Sequence, residues 1–271
     1  PGEMVAVEQG RVTNRAYWTW DYPDQGDYRN QPTEVLAEEL HDLLADATRI
    51  RLRSDVPVGA YLSGGLDSSA VVALIDRYGE VALRTFSLSF SDQALDESQF
   101  QRNLVAHINT EHTEIRCGER DVAERFPGAV WMAETPVLRT APVPMAVLSG
   151  AVRAAGYKVV LTGEGADEVL GGYDIFKEAK IRAFWARARG SRIRPLLLKR
   201  LYPYLELSQH QGQIYLQNFF GLGLEEPDAI HFSHIPRWVT TAKCKEFFSS
   251  DVRAALTGDA VKALIASLPP D

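Results

Sequence analysis

Several common signatures are missing from this chain. Only two cysteines occur in 271 residues, Cys117 and Cys244. They are too few and too far apart for a disulfide framework, which points to a reducing, cytoplasmic setting. Neither sits at metal-ligand spacing. No apolar run approaches ~18 residues, so no membrane-spanning helix is expected. Positive charge is in deficit, with a net charge of −7, which argues against a nucleic-acid binder. The opening Pro1-Gly2-Glu3-Met4 is no signal peptide, and a chain that begins on proline reads as a piece of a longer one. Internal repeats and low-complexity tracts are absent as well. What is present is 45% apolar residues, ample for a sizeable core.

Two phosphate-binding fingerprints are also missing. No lysine follows paired glycines as a Walker A loop requires, and no Gly-x-Gly-x-x-Gly occurs. In their place stands Tyr61-Leu62-Ser63-Gly64-Gly65-Leu66-Asp67-Ser68-Ser69. The apolar run Val56 to Leu62 leads in as a buried strand, and a helical pattern from Ser68 to Tyr78 leads out. Glycines let backbone N–H groups approach an anion closely, and a helix N-terminus adds unpaired donors. Ser63, Ser68 and Ser69 are candidate donors to phosphate oxygens, and Asp67 a candidate cation ligand. The plainer reading is a Gly-Gly turn with Ser68 as helix N-cap.

Taken in order, residues 3 to 20 alternate, and Gln9-Gly10 suits a hairpin turn. Residues 21 to 32 are polar with two prolines and read as a linker. A helix follows, capped by Thr33, with Val35, Leu36, Leu40, Leu43, Leu44, Ala47 and Ile50 at helical spacing. After the motif come a strand Leu83 to Phe90, a helix Asp96 to Asn109 capped by Asp96, a strand Glu111 to Arg116 and a helix Arg120 to Glu134. A helix Val143 to Ala155 and a strand Tyr157 to Leu161 complete the alternation. Strands alternating with helices predict an α/β fold with a parallel sheet and helices on both faces, followed by a helix-rich C-terminal part. Ligands then sit beyond the carboxyl ends of strands. The strand ends at Ser63 to Ser69, near Leu88, and at Thr162 to Glu168 are expected to converge.

Residues 180 to 200 hold eight Lys or Arg and no acid. A solvated basic face is the favoured reading, against a surface for polyphosphate with Trp185 stacking a base. His231 and His234 stand three apart, without the further ligands a metal would need.

The Ser63-to-Ser69 string resembles the pyrophosphate loop of the N-type ATP pyrophosphatases, whose fold is adenine-nucleotide alpha-hydrolase-like. With Leu161-Thr162-Gly163-Glu164-Gly165-Ala166-Asp167-Glu168-Val169-Leu170-Gly171-Gly172-Tyr173, the chain is similar to the synthetase domain of glutamine-hydrolysing asparagine synthetase. The likeness runs over residues 33 to 205 and is weak beyond. It implies a ligase of amino-acid biosynthesis that uses ATP and Mg²⁺ to convert aspartate to asparagine through β-aspartyl-AMP. Ammonia would come from glutamine through a glutaminase domain. By the resemblance, Glu164 is catalytic. Leu62, Ser63, Gly64, Gly65, Asp67, Ser68, Ser69, Leu88, Thr162 and Gly163 bind the nucleotide, and Asp67 and Asp167 bind Mg²⁺. Many family members carry serine where Thr162 stands. The resemblance casts residues 1–32 as the tail of an upstream glutaminase domain with its linker, and 33–271 as a synthetase domain cut short at its C-terminus. Such a piece is expected to bind ATP and Mg²⁺ with turnover slow or absent, and its full-length parent to be a possible homodimer. Alternatives are a β-lactam synthetase-like adenylating enzyme and a non-catalytic nucleotide-binding module. An RNA-modifying pyrophosphatase is disfavoured by the acidity.

Overall fold

The computed structural model describes residues 2–19, 26–79, 82–92, 96–108, 110–135, 137, 139–202 and 210–268. It divides into two compact units, Pro1–Thr162 and Gly163–Asp271.

The first unit opens with an antiparallel hairpin, β1 (Glu3–Glu8) and β2 (Arg11–Ala16). Its two-residue turn places Gln9 and Gly10 at φ 49° and 78°. Positive φ at both positions matches the right-handed twist of the paired strands. Val5, Val7 and Val12 are exposed on it. Residues 21–25 of the expected linker lie outside the described residues. α1 (Thr33–Arg51) follows, with Pro32 rather than Thr33 at the capping position and no side-chain cap. The predicted apolar stripe is present, but Val35, Leu40, Leu43, Leu44 and Ile50 are exposed, and only Ala45 and Thr48 of this helix are buried.

The sheet comprises β3 (Val58–Tyr61), β4 (Leu83–Phe90), β5 (Thr110–Cys117) and β6 (Val159–Leu161), all parallel, in the order β5-β4-β3-β6. Each predicted strand is found, β4 with its bounds unchanged and the others with bounds moved by at most two residues. Helices α2 (Leu66–Tyr78), α3 (Ser98–Val105), α4 (Glu119–Ala133) and α5 (Pro142–Ala154) connect them. Alternation along the strands sorts the core into two layers. Ala60, Leu62 and Leu83 pack with Val72 and Ile75 of α2 and with Leu104 and Val105 of α3. Phe86 packs with Leu148 and Val152 of α5, beside Tyr61, Leu88 and Ile115. Helices therefore cover both faces, as the alternation predicted. Glu97 occupies the capping position of α3, while the Asp96 carboxylate accepts from the Phe90 amide, the Ser98 hydroxyl and the Ser98 backbone N–H, the first of the helix. α3 ends at Val105, short of the expected Asn109, and residues 106–108 form a turn.

His112 of β5 stands between Thr85 (2.9 Å) and Ser87 (3.1 Å) of β4. Burial pushes its pKa below the ordinary value near 6.5, with Glu114 opposing. A depressed histidine pKa means that the unfolded chain takes up the proton first. The neutral ring thus stabilises the fold above about pH 6.5, and that contribution is lost as pH falls towards the folded-state value.

The second unit is helical. It contains α6 (Ala166–Leu170), α7 (Asp174–Ala186), a 3₁₀ turn (Arg194–Arg200), α8 (His210–Phe220) and α9 (Ile235–Ala242). A second 3₁₀ turn (Lys243–Phe247) precedes α10 (Ser250–Ala255) and α11 (Ala260–Ala266). Its core holds Trp185, Leu198, Leu201, Leu216, Phe220, Leu224, Phe232 and Ile235. Two charged residues of α7 lie inside. Arg182, 0% exposed, donates to the carbonyls of Phe220 (3.0 Å), Leu222 (2.6 Å) and Phe232. Burial lowers its pKa to about 10. Glu178, 1% exposed, accepts two bonds from Arg237 (2.6 and 2.8 Å) and one from Tyr202. The basic stretch is thus partly structural. Arg182 is core, Arg194 donates to the Phe184 carbonyl and covers its ring, and Trp185 is buried with its indole N–H on the Arg189 carbonyl. Trp185 is not available to stack a base. His231 and His234 pack against Trp238, and no metal-holding cluster of three His, Cys, Asp or Glu occurs among the described residues.

Two outcomes are expected. Arg182→Met strands three buried carbonyls and leaves Glu178 less compensated, costing roughly 3 kcal/mol or more in urea unfolding. Thermal unfolding midpoints fall between pH 7 and pH 5, and His112→Asn flattens that slope.

Candidate active site

The chain runs β3, β4, β5 outward in one direction and then returns to place β6 on the other side of β3. The strand order reverses at β3, and in open parallel sheets such a switch point leaves a crevice beyond the carboxyl ends. The Ser63–Ser69 loop follows β3. Thr162 follows β6 directly, one residue past the Ala60–Leu161 pair. Leu88 lies near the carboxyl end of β4. The first unit thus gathers Leu62, Ser63, Gly64, Gly65, Asp67, Ser68, Ser69, Leu88 and Thr162 at one sheet edge.

The loop is held by its own hydroxyls. The Gly65 amide donates to Ser63 Oγ at 3.2 Å, Ser63 Oγ and Ser68 Oγ stand 2.8 Å apart, and Ser68 Oγ donates to the Gly65 carbonyl at 3.2 Å. The Ser63 amide donates to Ser68 Oγ at 3.1 Å. One proton assignment satisfies all four bonds, with Ser63 donating to Ser68, and closes a ring from Gly65 N–H back to Gly65 C=O. Ser68 is buried in the first turn of α2, and the N-cap is Gly65, which has no side chain to bond the helix amides. The capping role weighed for Ser68 is not the one it plays. Both hydroxyls are engaged within the loop, so the groups most open to an anion are the first backbone amides of α2 and the Ser69 side chain. Gly64 sits at φ 93°, and a Cβ there would meet the Glu97 carbonyl at 3.0 Å. Leu62 is buried and Leu88 half-buried, an apolar lining on adjacent strands.

In the second unit, Gly163, Glu164 and Asp167 lie together at the start of α6, where Gly165 takes φ 96°. Glu164 is exposed. A Cβ on Gly172 would meet Asp167 Oδ1 at 1.9 Å, so that carboxylate lies directly over the glycine backbone. Tyr173 donates to Glu168 Oε1 at 2.8 Å. That bond, partial desolvation and the charges of Glu168, Asp167 and Glu164 hold the phenol pKa above its usual value. Glu168 is therefore tied to Tyr173.

Sequence reasoning missed Gln101. This α3 residue is 2% exposed, and its amide donates to the carbonyls of Ser63 (3.0 Å) and Leu88 (2.9 Å). Its place between Phe100 and Arg102 on a short helix gives no warning of this role.

Gly64→Ala is expected to cost about 1–3 kcal/mol in denaturant unfolding, because both φ and space oppose a side chain. Gly150→Ala, inside α5 where a Cβ meets nothing within 4 Å, is expected to raise stability by about 0.5–1 kcal/mol.

Comparison with known proteins places these features in context. The asparagine synthase family matches residues 39–264. Amidase chyE of Penicillium rubens is 32% identical over 192 residues, covering 65% of this chain and 29% of that protein. A putative asparagine synthetase (glutamine-hydrolyzing) 2 of Methanocaldococcus jannaschii is 39% identical over 160 residues, covering 59% of this chain and 30% of the relative. Asparagine synthetase B of Escherichia coli is 31% identical over 193 residues, covering 66% and 34%. The chain thus spans about a third of the length of these curated relatives. Among solved structures, the ammonia-dependent NAD synthetase of Campylobacter jejuni aligns with TM-score 0.38 and 16% identity over 86% of this chain and 97% of that one. Because the family match covers most of its length, this chain belongs to the asparagine synthase family.

Proposed function

We propose that the chain is the ATP-using part of an enzyme that makes a carbon–nitrogen bond by adenylating a carboxylate, with aspartate as the acyl substrate. The observation that carries this reading is the hydroxyl-closed Ser63–Ser69 loop at the point where the strand order reverses. It presents helix-N-terminal amides, and no lysine, to an anion.

The chemistry follows from leaving groups. A carboxylate oxygen does not leave when ammonia attacks. Attack of the aspartate side-chain carboxylate on the α-phosphorus of ATP forms a new P–O bond and breaks the bond to pyrophosphate. Ammonia then attacks the acyl carbon of β-aspartyl-AMP, AMP leaves, and the nitrogen gives up a proton as the amide forms. Positioning and electrostatics dominate such a transfer. The first amides of α2 and the Ser69 hydroxyl hold the departing pyrophosphate, on the turn that Gly64 and Gly65 make possible. Leu62 and Leu88 line the adenine slot, and Thr162 and Gly163 serve the ribose and α-phosphate. Glu164 supports the adenylate and takes the proton from the attacking nitrogen.

Mg²⁺ commonly uses one or two protein carboxylates, keeping phosphate oxygens and water as its other ligands. Asp67, half-buried in the first turn of α2, fits that limited demand, and Asp167 is assigned the same role on the resemblance. When bound, the ion would neutralise charge growing on pyrophosphate. Ammonia in the parent protein would come from glutamine, and in a test of this chain it is supplied directly.

AMP and pyrophosphate are expected from ATP, Mg²⁺ and ammonium only when aspartate is added. Glu164→Gln and Asp67→Asn are each expected to lower that rate by 100-fold or more, about 2.7 kcal/mol at 1.36 kcal/mol per tenfold. Binding of ATP by a folded sample without AMP formation would restrict the reading to nucleotide binding. Absence of ATP binding would sink it.

A further inference from the structure

We propose that Gln101 is the positioning residue of the nucleotide loop, acting through the two carbonyls it bridges. This inference rests on the ATP reading above. At the carboxyl end of β3, the Leu62 amide donates to the Phe86 carbonyl of β4 at 2.9 Å. Beyond it, the Gln101 side chain joins the two strand ends, with one hydrogen of its amide on Ser63 O and the other on Leu88 O. Two carbonyl acceptors fix which end of the amide is nitrogen, because an oxygen there would face two lone-pair groups. Gln101 Oε1 is buried and meets no hydrogen-bond partner among the described residues.

The same helix also presses on the loop from outside. A Cβ on Gly64 would come within 3.3 Å of Gln101 Cγ and 3.0 Å of the Glu97 carbonyl. Ser63 is therefore held twice, through its carbonyl by Gln101 and through its amide and hydroxyl by Ser68. Leu88, an adenine-slot residue, is held by the other hydrogen of the same amide. One side chain thus sets the spacing between the phosphate loop and the base slot. It touches no reacting atom on this reading, so its effect falls on ATP affinity through geometry.

The test compares ATP–Mg²⁺ binding by calorimetry for the wild-type chain, Gln101→Glu and Gln101→Met from pH 5.5 to 8, with unfolding midpoints measured in parallel. Glutamate keeps the shape, but as a carboxylate it faces two carbonyls with nothing to donate. Protonated, it regains one donor. Other ionisable groups around the position are Asp96, Glu97 and Arg102 on the α3 side and Asp67 on α2; all three proteins carry them, so their titration cancels in the comparison. The expected result is a loss of about tenfold or more in ATP affinity for both variants at pH 8. The loss should shrink towards pH 5.5 for Gln101→Glu and stay constant for Gln101→Met. A folded variant of either kind that binds ATP like wild type overturns the proposal, as does a Gln101→Glu loss that is the same at every pH. If Gln101→Glu does not fold, Gln101→Met decides alone. A wild-type chain that binds no ATP overturns this inference together with the nucleotide reading, whereas normal wild-type binding with unaffected variants overturns this inference only.

Discussion

Parallel strands end with backbone groups that no neighbour completes, and the first unit is arranged around that deficit at the carboxyl edge of β3. The sheet reverses direction there, so β4 and β6 flank the strand while their connections depart to opposite sides. The chain answers with a short loop closed on itself by two hydroxyls and braced by one amide side chain. Each group the loop needs for its own shape is matched internally. The amides that open α2 keep the outward orientation that helix geometry gives them. A loop that lacks lysine has only such backbone and hydroxyl donors to offer an anion, and donors that must first be ordered lose much of their value.

The second unit solves a different problem. Among its described residues it forms helices and no sheet. Apolar contacts from Trp185 to Ile235 supply the bulk, but a buried glutamate and a buried arginine decide which segments meet. Desolvating such charges is costly unless each finds several partners, and here each has at least three hydrogen bonds. The arrangement admits few alternative packings, because shifting any one of the segments carrying Phe220, Phe232 or Arg237 leaves a charge stranded.

Much of the first unit was legible in sequence because its signals are local. Continuous or alternating apolar runs marked β3 to β6, Gln9-Gly10 marked the hairpin, and Ser63 to Ser69 marked the loop. What escaped depends on distance in space. Thr33 and Asp96 look like caps by residue type, yet Pro32 and Glu97 occupy the capping positions. Arg182 and Trp185 lie in the stretch read as a solvated basic face, yet both are buried. Gln101 carried no signal at all, since a glutamine earns its role only from the two carbonyls that happen to lie beside it. The apolar stripe of α1 was read correctly as a pattern, and most of it is nonetheless exposed, because periodicity reveals a face and not what meets it.

The guanidinium of Arg182 has a consequence for how the polypeptide is made. Its three acceptors lie 38, 40 and 50 residues further along. On the ribosome, α7 therefore emerges well before anything that can complete it. Until Phe232 has been synthesised, that charge is best kept in water, and the face of α7 that will become core has reason to stay open. The contacts that complete α7 therefore become available only after Phe232 has been made, and until then the apolar side of the helix has no partner from this part of the chain.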